Sequence, residues 1–376
     1  MIRERLFRDF SEMVGIPSPS GHEHQLNLYV VRRLESLGCR VEYDPGEGRP
    51  IGSDGGNIYA FFPGEEQRRP ILLSAHTDTV TPAAAFEPRL AGGKITGDGS
   101  HILGADDKAA IAVIFELLRQ AREEGFSHPP LEIAISISEE TGLQGASLMK
   151  MKRFASQEAL VLDMSGTDKI GYAAVGARDI IIDIRGKASH AGWAIDEGVN
   201  AILGASSLIR KLTTGTVDEE SVFNIGCIKG GEAVNIVPEK VTIMGEIRSF
   251  QEEKMDIMTK DVVKAARLTE EEVPGLTVAV TEKEKYKPYH NDPESPLVRS
   301  LLKAGERLGR PQRLVRCKGG SDANIFNREG LESVVLSIGM EDVHSSKEYI
   351  FLDDMVRLTE LLAEFIKERD REPDSP

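Results

Sequence analysis

Apolar positions recur along this chain in two different rhythms. In the first third, Ile2, Leu6, Phe10 and Met13 fall on one face of a helix. After GIPSPSG, Leu26, Val30, Leu34 and Leu37 do the same, with Gly38 ending the element. CRVEY, NIYAFF, ILLSAH and ALVLD predict short strands, a mostly apolar helix runs from near Ala105 to Gly125, and ESVVLSIG returns late as a strand of the same type. Strands mixed with helices able to cover them predict an α/β domain built on a central sheet. From 178 to 290 the rhythm changes to strand DIIIDIRG, helix Val199 to Leu212, strands SVFNIGCIKG and KVTIMGEIRS, helix Glu252 to Leu268, and strand LTVAVTEK. That β-α-β-β-α-β order is the ferredoxin-like unit. It reads as an insert, so that 1–177 and 291–376 form one discontinuous domain and 178–290 the other.

Length agrees with this division, since 376 residues exceed what one core usually organises and 40% apolar residues can fill two. The charged N-terminal helix is neither a signal peptide nor a membrane span, and no apolar run approaches the ~20 residues that cross a bilayer. Three distant cysteines, Cys39, Cys227 and Cys317, argue against a disulfide framework or a cysteine zinc site and fit a reducing cytoplasm. A formal charge of −15 disfavours nucleic acid or an anionic membrane as partner. The highly charged C-terminal KERDREPDSP is expected to fray into solvent.

The chemistry gathers where strands end. LEIAISISEETG, residues 131 to 142, alternates as a core strand and then runs into Glu139 and Glu140. His76 and Asp78 close ILLSAHTD, Asp163 closes ALVLD, and His344 follows VVLSIG. Asp106 and Asp107, in GADDK, open the apolar helix. Each piece has a plain explanation as a solvated strand end or helix cap. Together they place two imidazoles and several carboxylates at one edge of an open α/β sheet, where ligands bind. So many like charges need cations, and mixed nitrogen and oxygen donors suit zinc, with cobalt or manganese as substitutes.

The ordered set HTD, GADDK, SEETG, LVLD, SHAG and a late histidine after a GGSD loop resembles the di-zinc metallopeptidase family of peptidase T, carboxypeptidase G and the aminoacylases, and most of all the peptidase T-like tripeptidases. The likeness spans nearly the whole chain. It implies a zinc-peptidase-like catalytic domain with an inserted lid and dimerisation domain. It implies that His76 and Asp163 hold one zinc, Glu140 and His344 the other, and Asp106 bridges them. Asp78 would orient the His76 imidazole, and Asp107 would be a structural neighbour of the bridge rather than a ligand. Glu139 would be the base that takes a proton from the attacking water and returns it to the leaving amine. His190, in SHAG, would reach the active site of the partner subunit of a homodimer; a turn histidine is the competing reading. Asn235 and Arg248 would contact substrate from the lid, against a hairpin turn and a surface salt bridge. Gly319, Gly320 and Ser321 would cradle the bound peptide, against a plain tight turn. Trp193 is expected to pack, and His22, His24, His101, His128 and His290 to be structural or solvated.

In that family an aspartate at the position of Asp163 accompanies aminopeptidases, so release of the N-terminal residue from tripeptides is the expected activity. The segment AVNIVPEK resembles hydrolases of N-acyl amino acids, which keeps a deacylase or carboxypeptidase as the alternative. A metal-binding protein without turnover would have no use for Glu139. A second di-zinc aminopeptidase branch shares the IPSPSGHE-like start, but the insert carrying SHAG speaks against it.

Overall fold

The computed structural model describes residues 1–369, and the chain falls into two compact units. One comprises Met1–Ala173 together with the chain from His290 onward, the other Ala174–Tyr289. The charged tail from 370 on lies outside the described residues; the helix Leu352–Glu368 reaches into the start of that tract.

At the centre of the larger unit are four parallel strands in the order Leu131–Ser136, Ile71–His76, Glu158–Met164 and Glu332–Ser337. Leu73 pairs with Ile133 on one side and Leu160 on the other. Antiparallel strands extend the sheet, Ile58–Phe62 and Arg40–Tyr43 at one end and Lys169–Ala174 at the other. Every residue of ILLSAH and LEIAIS is buried, as expected for strands covered on both faces. The alternation in LEIAIS therefore does not mark a wet face. Its Glu132 is buried because its carboxylate accepts the N–H groups of Ala155 and Ser156 and the Ser156 hydroxyl. Helices Ile2–Val14, Ala105–Glu124 and Leu352–Glu368 pack on one another and share one core with the strands.

A second, small sheet, absent from the sequence expectation, joins Arg89–Ala91, Lys94–Thr96, Tyr349–Phe351 and Met340–Glu341. Strands of two or three residues are too short to show a period. The antiparallel pair Met340–Glu341 and Tyr349–Phe351 holds residues 342–348 as a hairpin loop.

The smaller unit runs strand Gly176–Arg185, helix Ala201–Ile209, strands Ser221–Gly230 and Lys240–Ser249, helix Glu252–Glu272 and strand Thr277–Tyr286. Neighbouring strands are all antiparallel, and the ferredoxin-like order is extended at one edge by the two residues Gly215–Thr216. Ile180, Ile182, Ile184, Ile243 and Ile247 pack against the two helices to form its own core. The three cysteines are free, and among the described residues no helix is long and apolar enough to cross a membrane.

Candidate metal centre

Because the four central strands run the same way, their C-terminal ends share one edge, and the acids and histidines arrive there from separate segments. His76 is the last residue of its strand. Its Nδ1 faces the Asp78 carbonyl oxygen at 2.9 Å and the Asp78 carboxylate at 3.4 Å, so this nitrogen carries the proton. The other nitrogen, Nε2, then presents a lone pair 3.0 Å from Asp106 Oδ1. Two acceptors at that distance require a proton or a cation between them. His344, in the hairpin loop at φ 61°, lies with Nε2 2.9 Å from Glu140 Oε1 and 3.3 Å from Asp106 Oδ2. Glu140 Oε1 is buried, and this approach is not aligned as a hydrogen bond. Asp106 therefore stands between the two histidines with one oxygen toward each.

The electrostatics are those of a site short of positive charge. Burial, and then the Asp106 charge, push Asp163 well above the usual carboxylate range. Burial followed by Asp163 does the same to Glu139. Burial also opposes the charge on Asp106, but contact with His344 and His76 holds it below its ordinary value. Asp106 and then Glu140 push His344 up to about 10. Donor atoms of His76, Asp106 and Glu140 lie within 4.8 Å of one another, as do those of His76, Glu139 and Asp163. These oxygen and nitrogen donors fit divalent cations of the zinc type. By distance alone, Glu139 qualifies as a ligand as well as Asp163 does.

A surrounding set of carboxylates holds backbone rather than charge. Asp78 touches His76, and its carboxylate also accepts the N–H of Glu139 at 2.9 Å, the N–H of Glu140 at 3.2 Å and the Ser20 hydroxyl at 2.7 Å. It thus pins the two-acid turn to the neighbouring strand. Glu23 accepts the backbone N–H and hydroxyl of Ser138, whose φ of 49° swings the chain out of the sheet just before Glu139. Asp107 Oδ2 accepts the His76 N–H at 3.2 Å, and an Asp107 donor atom also lies within 4.8 Å of those of Asp106 and Asp163, so distance alone admits it as a ligand too. Glu348 accepts the N–H of Gly104 at 2.8 Å and of Asp106 at 2.9 Å, where the chain adopts non-helical angles before entering the long helix. Asp322 accepts the Ser136 hydroxyl at 2.5 Å, while its other oxygen is buried without a partner.

Glu23, Asp322 and Glu348 were not anticipated from the sequence. Asp322 stands inside the GGSD loop and Glu348 four residues after His344, but a single acid at such a spacing carries no signal of its own.

Gly319, Gly320 and Ser321 line one cavity of about 460 Å³ with Asp106, Glu139, Glu140, Asp163 and His344. A side chain added at Gly319 would meet open space, so packing does not demand glycine there. The Ser321 N–H donates to Asn324 Oδ1 at 3.1 Å at the start of helix Asp322–Arg328.

His190, Asn235 and Arg248 belong to the smaller unit. His190 is exposed, and its Nδ1 accepts the N–H groups of Gly192 at 3.1 Å and Trp193 at 3.2 Å, which puts the ring proton on Nε2. The Asn235 carbonyl accepts the Ala191 N–H, and the Arg248 guanidinium pairs with Glu246. Trp193, expected to pack, is instead 90% exposed. None of His22, His24, His101, His128 or His290 joins a group of potential ligands among the described residues.

Comparison with known proteins gives one family. A model described as peptidase family M20/M25/M40 matches residues 72–368. The crystal structure of aminopeptidase PepT from Bacillus cereus has a TM-score of 0.90 and 32% identity over 98% of this chain and 99% of that one. A tripeptidase from Staphylococcus aureus has a TM-score of 0.94 and 29% identity, again over 98% and 99%. Carboxypeptidase G2 of a Pseudomonas species is 28% identical over 96% of this chain and 88% of its own length.

Proposed function

Since the chain belongs to peptidase family M20/M25/M40 and is a peptide-bond hydrolase of that family, we propose that it is a two-zinc exopeptidase releasing the N-terminal residue of short peptides, tripeptides in particular. The observation that carries the two-metal reading is the placement of Asp106, with one carboxylate oxygen toward His76 and the other toward His344. His76 and Asp163 would hold one zinc, Glu140 and His344 the second, with Asp106 shared. Bound there, the cations would supply Lewis acidity to the scissile carbonyl and to the attacking water. Cobalt or manganese would suit the same donors.

Glu139 takes a proton from that water and returns it to the leaving amine. Burial raises its pKa, the direction that lets a carboxylate hold a proton near neutrality, and no described residue donates a hydrogen bond to its carboxylate. Asp78 keeps this base in place through the Glu139 N–H and keeps His76 in the tautomer that offers Nε2. His190 Nε2–H is a donor for the oxyanion, supplied by the partner subunit of a homodimer. Asn235 and Arg248 grip the substrate, and the Gly319–Ser321 backbone cradles it. In favour of the dimer are the exposed Trp193, Leu203, Ile228 and Val234, and the strand Ser221–Gly230, whose outer edge is paired only at Val222 and Phe223. Three free cysteines accord with a reducing cytoplasm.

The alternative, a carboxypeptidase or N-acyl-amino-acid deacylase, is favoured by the long match to carboxypeptidase G2. Mass spectrometry of products from a zinc-loaded sample given a tripeptide of three different residues, and its N-acetylated form, separates the two. Release of the first residue from the free peptide alone is expected. Release of the last residue, or of acetate, would transfer the assignment to the alternative.

A further inference from the structure

The cavity that contains the acids is also walled by Met164, Val315, Cys317, Val335 and Met340, and three cations, Lys169, Arg316 and Lys318, lie on its lining. The apolar wall is fixed from behind. The Cys317 sulfur sits 3.7 Å from Met164 Sδ and occupies the space over Gly171, where an added Cβ would come within 2.3 Å of it. Lys169 is equally well placed. Its N–H donates to Ser337 Oγ at 2.9 Å, and its chain folds over Gly166, where an added Cβ would come within 2.4 Å of Nζ.

The half-buried Lys169 ammonium has three protons to donate, and one goes to the Ser165 carbonyl at 3.2 Å. Among the described residues no carboxylate lies within ion-pair distance of it. An apolar wall ending in an under-used cation matches a side chain with a methylene stem and a terminal carboxylate. Once divalent cations balance Asp106, Glu139, Glu140 and Asp163, their field no longer repels such a group.

We infer that this cavity receives the side chain of a residue flanking the scissile bond, and that Lys169 makes the enzyme prefer glutamate to leucine there. The inference rests on the peptidase reading above. Its test is kcat/KM of the zinc-loaded enzyme for Glu-Gly-Gly against Leu-Gly-Gly, and for Gly-Glu-Gly against Gly-Leu-Gly. A Glu preference of about tenfold or more at one position is expected from a charge-assisted hydrogen bond. Lys169→Met should abolish that ratio mainly through KM, and Lys169→Arg should restore most of it. The ratio is internal, so a general loss from misfolding leaves it unchanged. Preference for leucine at both positions, or an unchanged ratio in an active Lys169→Met enzyme, would overturn the inference. Should no peptide be cleaved while N-acetyl amino acids are, the peptidase reading fails, and the N-acetylglutamate to N-acetylleucine ratio tests Lys169 by the same criteria.

Discussion

Two clusters of buried charge occupy the larger unit, and they are built on opposite terms. Among the helices Ile2–Val14, His24–Leu37 and Ala105–Glu124, Asp9 and Glu116 are fully buried and each is answered by guanidinium groups. Arg33 donates to Asp9 at 2.6 Å and Arg119 donates to Asp9 at 2.8 Å, while Arg5 donates to Glu116 at 2.5 and 3.0 Å and Arg119 also pairs with Glu116. At and just beyond the strand ends, Asp163, Glu139 and Glu140 crowd together with Asp106 from the start of the long helix, and among the described residues two imidazoles, His76 and His344, stand with them. Burial raises Glu140, as it does Glu139 and Asp163. Buried charge is tolerated when paired, so the first cluster is complete as it stands and holds helices together. The second is complete only with cations, and the framework of Asp78, Glu23 and Glu348 on backbone N–H groups keeps it assembled. Balance of charge, rather than burial or acid content, separates the structural cluster from the functional one.

The contrast can be broken at either end. The largest effect is expected for Glu139→Gln, which should lower kcat by roughly 10²–10⁴-fold with metal content unchanged, as checked by turnover and elemental analysis. Undiminished turnover would remove Glu139 as the base. Arg119→Met should cost about 3–5 kcal/mol in denaturant unfolding by leaving Asp9 and Glu116 short of a partner, while the folded enzyme keeps its metal. An unchanged midpoint would mean that the balanced cluster is not structural. His190→Ala, remote from both clusters in sequence, should lower kcat by about 10²–10³-fold and leave metal stoichiometry intact; a normal rate would return it to a turn histidine. The smallest change expected is for Glu348→Gln, which places an amide against the Gly104 or Asp106 N–H. Metal affinity, read by competition with a chelating dye, should weaken about 10–100-fold. Unaltered affinity would show that Asp106 needs no such support.

How far these features could be read in advance follows from their range along the chain. Apolar periodicity is local, so the strands Ile71–His76 and Leu131–Ser136, the helix Ala105–Glu124 and the β-α-β-β-α-β insert were legible, as were the residues ending each strand. His76, Glu139, Glu140 and Asp163 were legible as chemical groups because each closes, or lies within three residues of, an apolar run. His344 was legible as a residue but not in its setting, since a hairpin of the small sheet carries it. The partners that aim these groups were not legible at all. Ser136 meets Asp322 across 186 residues, and Glu348 meets Gly104 across 244. The sequence by itself determined the longer elements and which chemical groups stand at their ends, because both depend on neighbours a few positions away. Only the tertiary structure decided which buried acid faces a guanidinium, which a backbone N–H and which another acid, because a carboxylate's environment is set by whatever the fold brings beside it.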